Sequence, residues 1–277
     1  MDDNGPPPPF EDRGHQIVIL SCVLHGVSLP VLFTRIWSRS YPTLRLGWDD
    51  WAIMAAAIFD LAQWILILVA VSNGLGRPSY YVPSSQRPTA RACLYFANHC
   101  SGWVICLAKL SIAYSLSRLR RDSAVWRVFL MGMMVLPVAI AVTTSGFLFA
   151  SCRPLSAMWE EMTPSSQPDC LPRTLMTKGI LATATLTVVT DFVLALLPIT
   201  FINRIKRSVR ERAILAVIMG LGIIASAASI CKIVSVSSKR LTGDPLRDGV
   251  DVTFWGMLEV ELGIIAACVP FIRRTVE

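Results

Sequence analysis

Seven long apolar runs follow one another along the chain, separated by short polar segments. They are Gln16–Thr34, Asp50–Ser72, Ala90–Leu116, Val128–Ala150, Thr177–Ile202, Ala213–Val236 and Val252–Ile272. Each approaches the roughly 20 mostly apolar residues that a helix needs to cross a bilayer. The first is the most diluted, by His25, Pro30 and two serines. The pattern predicts an all-α fold: a polytopic membrane protein with a seven-transmembrane helix bundle over 16–272. A short disordered segment, 1–15, precedes it, and a short cytoplasmic tail, 273–277, follows. The first 15 residues hold four consecutive prolines, Pro6–Pro9, and the acids Asp2, Asp3, Glu11 and Asp12. They lack the basic and apolar regions of a cleavable signal.

Composition agrees. The chain is 53% hydrophobic and 16% charged, with a mean hydropathy of +0.54, whereas soluble domains carry about 25% charged residues. The net charge of +7 reads as topology rather than nucleic-acid binding. Basic residues gather in alternate connections: Arg35, Arg39 and Arg45; Arg118, Arg120, Arg121 and Arg127; Arg204, Lys206, Arg207, Arg210 and Arg212. Cytoplasmic loops carry this excess, so the expected orientation is N-terminus out and C-terminus in. The expected location is a multi-pass protein of the plasma membrane or endoplasmic reticulum, with the lipid bilayer as first partner.

Cysteines divide by depth. Cys22, Cys100, Cys106, Cys231 and Cys268 lie within apolar runs, where a free thiol is a small apolar residue. Cys152 and Cys170 flank the longest expected outer connection, Ala150–Met176. Extracytoplasmic space permits disulfides, so these two are expected to pair, with Cys93 the competing partner. The same connection is long enough to cover the outer mouth of the bundle. Pro137 and Pro198 interrupt helical runs and predict kinks.

The polar residues inside the spans carry the chemistry. A charge in hydrocarbon costs a few kcal/mol or more, so an intramembrane ionisable group points to function by default. Asp60, His99 and Asp191 fall near mid-depth. Lys232, Glu259 and Glu261 fall toward the expected outer half. Glu259 and Glu261 are about 200° apart on a helix, so only one can face a given point. Trp255 and Glu259 share a face, which places Glu259 inward beneath Trp255. A scaffold of ion pairs, Glu259 with Lys232 and Asp191 with Lys109, satisfies several of the same groups. No Walker loop, dinucleotide fingerprint, zinc or haem spacing is present, and no metal or other cofactor is expected.

Several local patterns resemble the fungal rhodopsin-domain membrane proteins. They are Asp49-Asp50-Trp51, Gly74-Leu75-Gly76, Lys109-Leu110-Ser111 with Arg118, Cys152-Arg153-Pro154 with Trp159 and Cys170, Asp191 with Pro198, and Trp255 with Glu259 and Pro270. The shared order runs over Trp48–Arg274. Here Arg77 and Pro78 follow the glycine pair where the family often has His, and Lys232 stands where an Arg is usual. The family's name does not imply retinal, which needs a Schiff-base lysine in the last span; Val252–Ile272 contains none. The resemblance implies a receptor-like protein or a member of a secondary-metabolite gene cluster.

Three functional readings follow. The first is a polar intramembrane pocket for a lipophilic small molecule, receptor-like or tied to fungal secondary metabolism, with a possible cytoplasmic signalling partner. The second is a membrane-embedded enzyme, a terpenoid cyclase or isomerase working without metal or nucleotide. It assigns Glu259 as acid and Asp191 or Asp60 as base or cation stabiliser. The third is an accessory or transport protein. In the pocket readings Glu261, Lys232, His99, Trp103 and Trp255 contact the ligand.

Overall fold

The computed structural model describes residues 12–41, 46–119, 124–160, 169–202, 209–238 and 244–276. Within them lie seven long helices: α1 (Gly14–Ser40), α2 (Trp48–Ser72), α3 (Arg87–Leu119), α4 (Ala124–Ala150), α5 (Arg173–Ile202), α6 (Val209–Ser238) and α7 (Pro245–Val276). All seven are long and apolar enough to cross a membrane. Consecutive helices run in opposite directions, so the bundle has two ends. One carries the start of α1 and the α4–α5 connection, and we call it the disulfide end. Residues 1–11 and the basic stretch 203–208 lie outside the described residues.

The helices pack as a ring in chain order that closes between α1 and α7, and α3 also packs against α7. α7 is the axis of this arrangement: 56% of its span is buried, against 22–39% of the others. Its core face, Met257, Val260, Ile264 and Ala267, meets Leu32, Ile53 and Val104 at one level and Ile17 and Ile67 at another. The outward faces are apolar too, with Ile19, Phe33, Ile58, Ile65, Val128, Val135, Ile224 and Val234 exposed. A surface of this kind is matched to lipid. Trp37, Tyr41, Trp48 and Trp51 are exposed around the end opposite the disulfide, as interfacial aromatics are.

The first and last helices reach beyond the apolar runs. α1 continues to Ser40, so Arg35 and Arg39, read from sequence as loop residues, are helical and buried. Their charges are cancelled within the fold. The Arg35 guanidinium donates to Asp50 Oδ1 (3.0 and 3.1 Å), Asp49 Oδ2 (2.9 Å), Ser111 Oγ (3.1 Å) and the Ala267 carbonyl (2.6 Å). Arg39 pairs with Asp50 and with Asp49. The two aspartates open α2, where negative charge suits the helix dipole, and Asp50 accepts the Gly47 amide at 3.0 Å. One buried network therefore ties α1, α2, α3 and α7. At the start, α1 takes in Gly14 and His15, which the sequence pattern assigns to the tail. At the other terminus the α7 backbone stays helical through 273–276.

The disulfide end is laced by backbone. Arg13 N donates to Gly76 O (3.1 Å) and Gly76 N to Leu246 O (3.3 Å). Both glycines of Gly74-Leu75-Gly76 have positive φ, near +100°, and a Cβ on Gly76 would strike the backbone of Gly14. Only glycine lets the chain turn here at no steric cost. Asp244 accepts Leu246 N (3.1 Å) at the head of α7 and holds Ser79 through N (2.7 Å) and Oγ (2.5 Å). In the α4–α5 connection, Cys152–Arg153 and Asp169–Cys170 pair as short antiparallel strands, and Cys152 and Cys170 form a disulfide. Cys93, the competing partner, is a free thiol.

Arg35→Met strands two buried carboxylates beside one remaining arginine. The expected loss is about 3–5 kcal/mol, read as a lower melting temperature in detergent. Maleimide labelling of the denatured, unreduced chain should modify six cysteines, and all eight after reduction.

Candidate functional site

α7 places its two acids on different sides of the bundle, as the 200° separation requires. Glu259 faces α6 and a cavity; Glu261 faces α1 and α2. The cavity measures about 490 Å³ and lies among α3–α7. His99, Trp103, Lys109, Thr187, Lys232 and Glu259 all line it. Its volume falls in the range of small-molecule sites, about 300–1,000 Å³. The Thr183 and Thr187 hydroxyls on α5 bond back to carbonyls of their own helix, as mid-helix threonines do. Much of that wall is thus less polar than its composition suggests.

Two ion pairs sit on the cavity wall. Lys109 is saturated: its ammonium donates to Thr187 O (3.0 Å) and Thr190 Oγ1 (2.8 Å) and meets Asp191 Oδ1 at 3.0 Å. An ammonium has three donors, and all three are used. Lys232 pairs with Glu259 and has no other hydrogen bond among the described residues. On the acidic side, Glu259 Oε1 and Asp191 Oδ2 are both buried without a hydrogen-bond partner. Both residues border a second cavity, of about 50 Å³, that adjoins the larger one at Ile105, Lys109 and Glu259. Spare donors and acceptors therefore converge where Lys232, Glu259 and Asp191 meet.

The α4–α5 connection lies over the disulfide end of the cavity. Met158 lines it, and Trp159 packs on Tyr95 and Phe96 with ring centroids 5.7 Å apart. Tyr95 in turn donates to Leu148 O at 2.7 Å. Within the cavity, His99 packs edge-on to Phe149 and makes no hydrogen bond among the described residues.

Asp60, Glu261 and Trp255, expected at the same pocket, do not line it. Trp255 packs edge-on to Phe254, and α7 meets the cavity instead along Val252, Gly256 and Glu259, the arc next to Trp255. Asp60 and Glu261 belong to a separate buried group with His25. Asp60 Oδ2 lies 3.3 Å from His25 Nε2, and Glu261 Oε1 lies 2.9 Å from Nδ1. Nδ1 also donates to Ser21 O at 2.9 Å, and Trp64 stacks on the imidazole at 4.3 Å. Sequence reading treats His25 as dilution of an apolar run. The group of His25, Asp60 and Glu261 draws one residue from each of three helices, so no spacing announces it; the local signal is that Asp60 and Trp64 are four apart on one face of α2.

The fungal rhodopsin domain family model matches residues 34–277. The chain belongs to the fungal rhodopsin domain family. Among relatives of this fungal rhodopsin-domain protein, the polyenoic acids biosynthesis gene cluster protein Ba17b of Metarhizium anisopliae is 24% identical over 280 residues, covering 96% of this chain and 75% of the relative. Fugralins biosynthesis cluster protein 2 of Gibberella zeae is 26% identical over 180 residues, covering 63% of this chain and 44% of the relative. No solved structure matches. The motifs that carry the family resemblance now have physical places. Asp49 and Asp50 take up Arg35, Ser111 joins them, Lys109 holds Asp191, and the glycine pair forms the rim.

Lys109→Met leaves the Asp191 carboxylate buried without its cation, and Asp191→Asn leaves Lys109 its two threonine acceptors. The first should therefore destabilise more, by about 3–5 kcal/mol. The double variant should recover part of that loss in a thermal-melt mutant cycle.

Proposed function

We propose that this protein binds a lipophilic small molecule of fungal secondary metabolism in the α3–α7 cavity, with the ligand's polar group held by Lys232 and Glu259. The observation that carries this reading is the spare bonding capacity of that pair at the wall of a cavity of about 490 Å³. A buried acceptor without a partner is costly, and a ligand hydroxyl or carboxylic acid supplies the missing donor. Lys232 offers donors to a carbonyl or carboxylate. The apolar remainder of the wall suits a hydrocarbon body, and the relatives' names refer to biosynthesis of polyenoic acids and fugralins. The ligand class we favour is a long unsaturated chain with one acidic or carbonyl end.

Orientation belongs to the same proposal. A disulfide forms in an oxidising compartment, so the disulfide end and the N-terminus lie on the extracytoplasmic side. The ligand then approaches beneath the α4–α5 connection or from the bilayer.

A second reading, enzymatic acid–base chemistry, is favoured by one observation: Glu259 Oε1 and Asp191 Oδ2 border the same 50 Å³ cavity, both unpartnered. The cavity has room for a water that would link the two carboxyls: Glu259 gives a proton to the bound ligand, the ligand releases a proton to Asp191, and transfer through the water from Asp191 back to Glu259 restores both.

The test is crosslinking of the full chain with a diazirine-bearing long-chain polyenoic acid. Label should map to the cavity walls on α3, α5 or α6. Lys232→Met should weaken labelling about tenfold or more, as expected for a lost charged hydrogen bond of about 1.5–3 kcal/mol. Unchanged labelling in that variant defeats the binding reading. Metabolite profiles of a fungal strain carrying Glu259→Gln separate the two readings. An accumulated lipophilic intermediate supports catalysis, and an unchanged profile with lost labelling supports binding alone.

A further inference from the structure

The buried charges are matched everywhere in the described interior except at one place. Arg35 and Arg39 meet Asp49 and Asp50, Lys109 meets Asp191, and Lys232 meets Glu259. Asp60 and Glu261 share only His25. All three residues are nearly inaccessible: His25 is 2% exposed, Asp60 3% and Glu261 0%. Two carboxylates beside a neutral imidazole leave two uncompensated negative charges in the middle of a membrane bundle, and ions there need partners.

The hydrogen bonds sharpen the point. Ser21 O can only accept, so the proton of the His25 ring that meets it sits on Nδ1. The neutral ring then turns the lone pair of Nε2 toward Asp60 Oδ2, 3.3 Å away. Nε2 has no hydrogen bond, and neither has either Glu261 oxygen, although Oε1 lies 2.9 Å from Nδ1. With Nδ1 carrying the proton, the lone pair of Nε2 and Asp60 Oδ2 face one another in a dry site and repel unless a cation joins them, and the Glu261 carboxylate adds a second negative charge beside the ring. Each of the three residues offers one atom within 4.8 Å of the others'. Ligands around one ion at bonds of about 2.0–2.2 Å lie at most about 4.4 Å apart, so the set is completed by a side-chain rotation that carries a Glu261 oxygen from the Nδ1 side of the ring toward Nε2.

We propose that His25, Asp60 and Glu261 bind a divalent first-row transition-metal ion between α1, α2 and α7. Two carboxylates and a neutral imidazole balance its charge. One nitrogen and two oxygens suit zinc, iron(II) or manganese(II) better than calcium or magnesium, which favour oxygen alone. The surroundings hold the ligands as metal sites require. Ser21 O fixes the ring tautomer, the outer-shell arrangement common to metal-bound histidines, and the Trp64 stack fixes the ring plane. Ser28 Oγ and Gln63 Oε1 are further buried oxygens without partners. They stand three residues along from His25 and Asp60, on the same helix faces. The site is distinct from the ligand cavity, which none of these residues lines. It therefore stands or falls independently of the proposed ligand.

The test uses the full chain purified in detergent without chelators. Elemental analysis should find about one zinc, iron or manganese per chain. Chelation should lower the melting temperature, and adding Co²⁺ should restore it with a visible ligand-field spectrum. Glu261→Gln and His25→Asn should each weaken metal binding at least about tenfold. A wild-type chain that carries no metal and takes up none of Zn²⁺, Mn²⁺ or Co²⁺ overturns the proposal and leaves a proton as the missing cation. Equal binding by folded variants also overturns it, because the metal then sits elsewhere. If neither variant folds, spin-echo spectra of Mn²⁺ on the wild-type protein decide: an imidazole nitrogen coupling supports the site, and its absence overturns it.

Discussion

The Arg35–Asp50 contact is the constraint around which the helices are placed. A fully buried arginine is tolerable only if every donor finds an acceptor. Here the acceptors come from the head of α2, from Ser111 on α3 and from the α7 backbone at Ala267. Such a network adds little net stability over a well-packed apolar core. It does exclude other registers, because sliding α1 or α2 by a turn strands charges and sliding α3 or α7 strands a donor of Arg35. α7 is pinned at this end by Arg35 and at the other by Asp244 and the Gly76–Leu246 contact. Its depth, and so the depth of Glu259 and Glu261, is set between those two fixings.

From that register the interior divides into two polar compartments with different chemistry. On the α3–α6 side the charges are paired, the threonine hydroxyls are turned onto their own helix, and a roomy cavity remains. On the α1–α2 side there is a compact, negatively biased group around one imidazole and no lining of that cavity. A single residue between two acids, Val260, is enough to separate them, since it turns the helix by about 200° from one acid to the next. Val260 itself is 1% exposed and packs in the core, so the two compartments are insulated by apolar contact.

Much of the fold was legible in the chain, because lipid imposes one rule on every span. Each apolar run became a helix; every helix also reaches a few residues past its run, and in α1 the extension holds charges with hidden partners. Arg35 and Arg39 illustrate the limit. Hydropathy ends the first span before them, since an unpaired arginine does not belong in a membrane, yet Asp49 and Asp50 make them helical and buried. The Glu259–Lys232 and Asp191–Lys109 pairs could be expected, because each joins charges at similar depth on helices that the connectivity can bring together. The group around His25 could not. Its members are far apart in sequence, and which side of α2 carries Asp60 depends on packing that periodicity does not reveal in helices apolar on every face. Trp255 lies off the cavity wall because a shared helix face covers a broad arc, and the cavity meets only part of it.

Biogenesis inherits the arrangement of α1 and α2. α1 alone presents two arginines at its membrane-facing end, and α2 alone presents two aspartates at its start. Together, joined by the short connection 41–47, they form a neutral hairpin. A chain entering the bilayer as this hairpin never exposes those four charges to lipid one helix at a time. The pairing that sets the finished bundle is thus also one that lets the first two spans enter the bilayer together without lone charges.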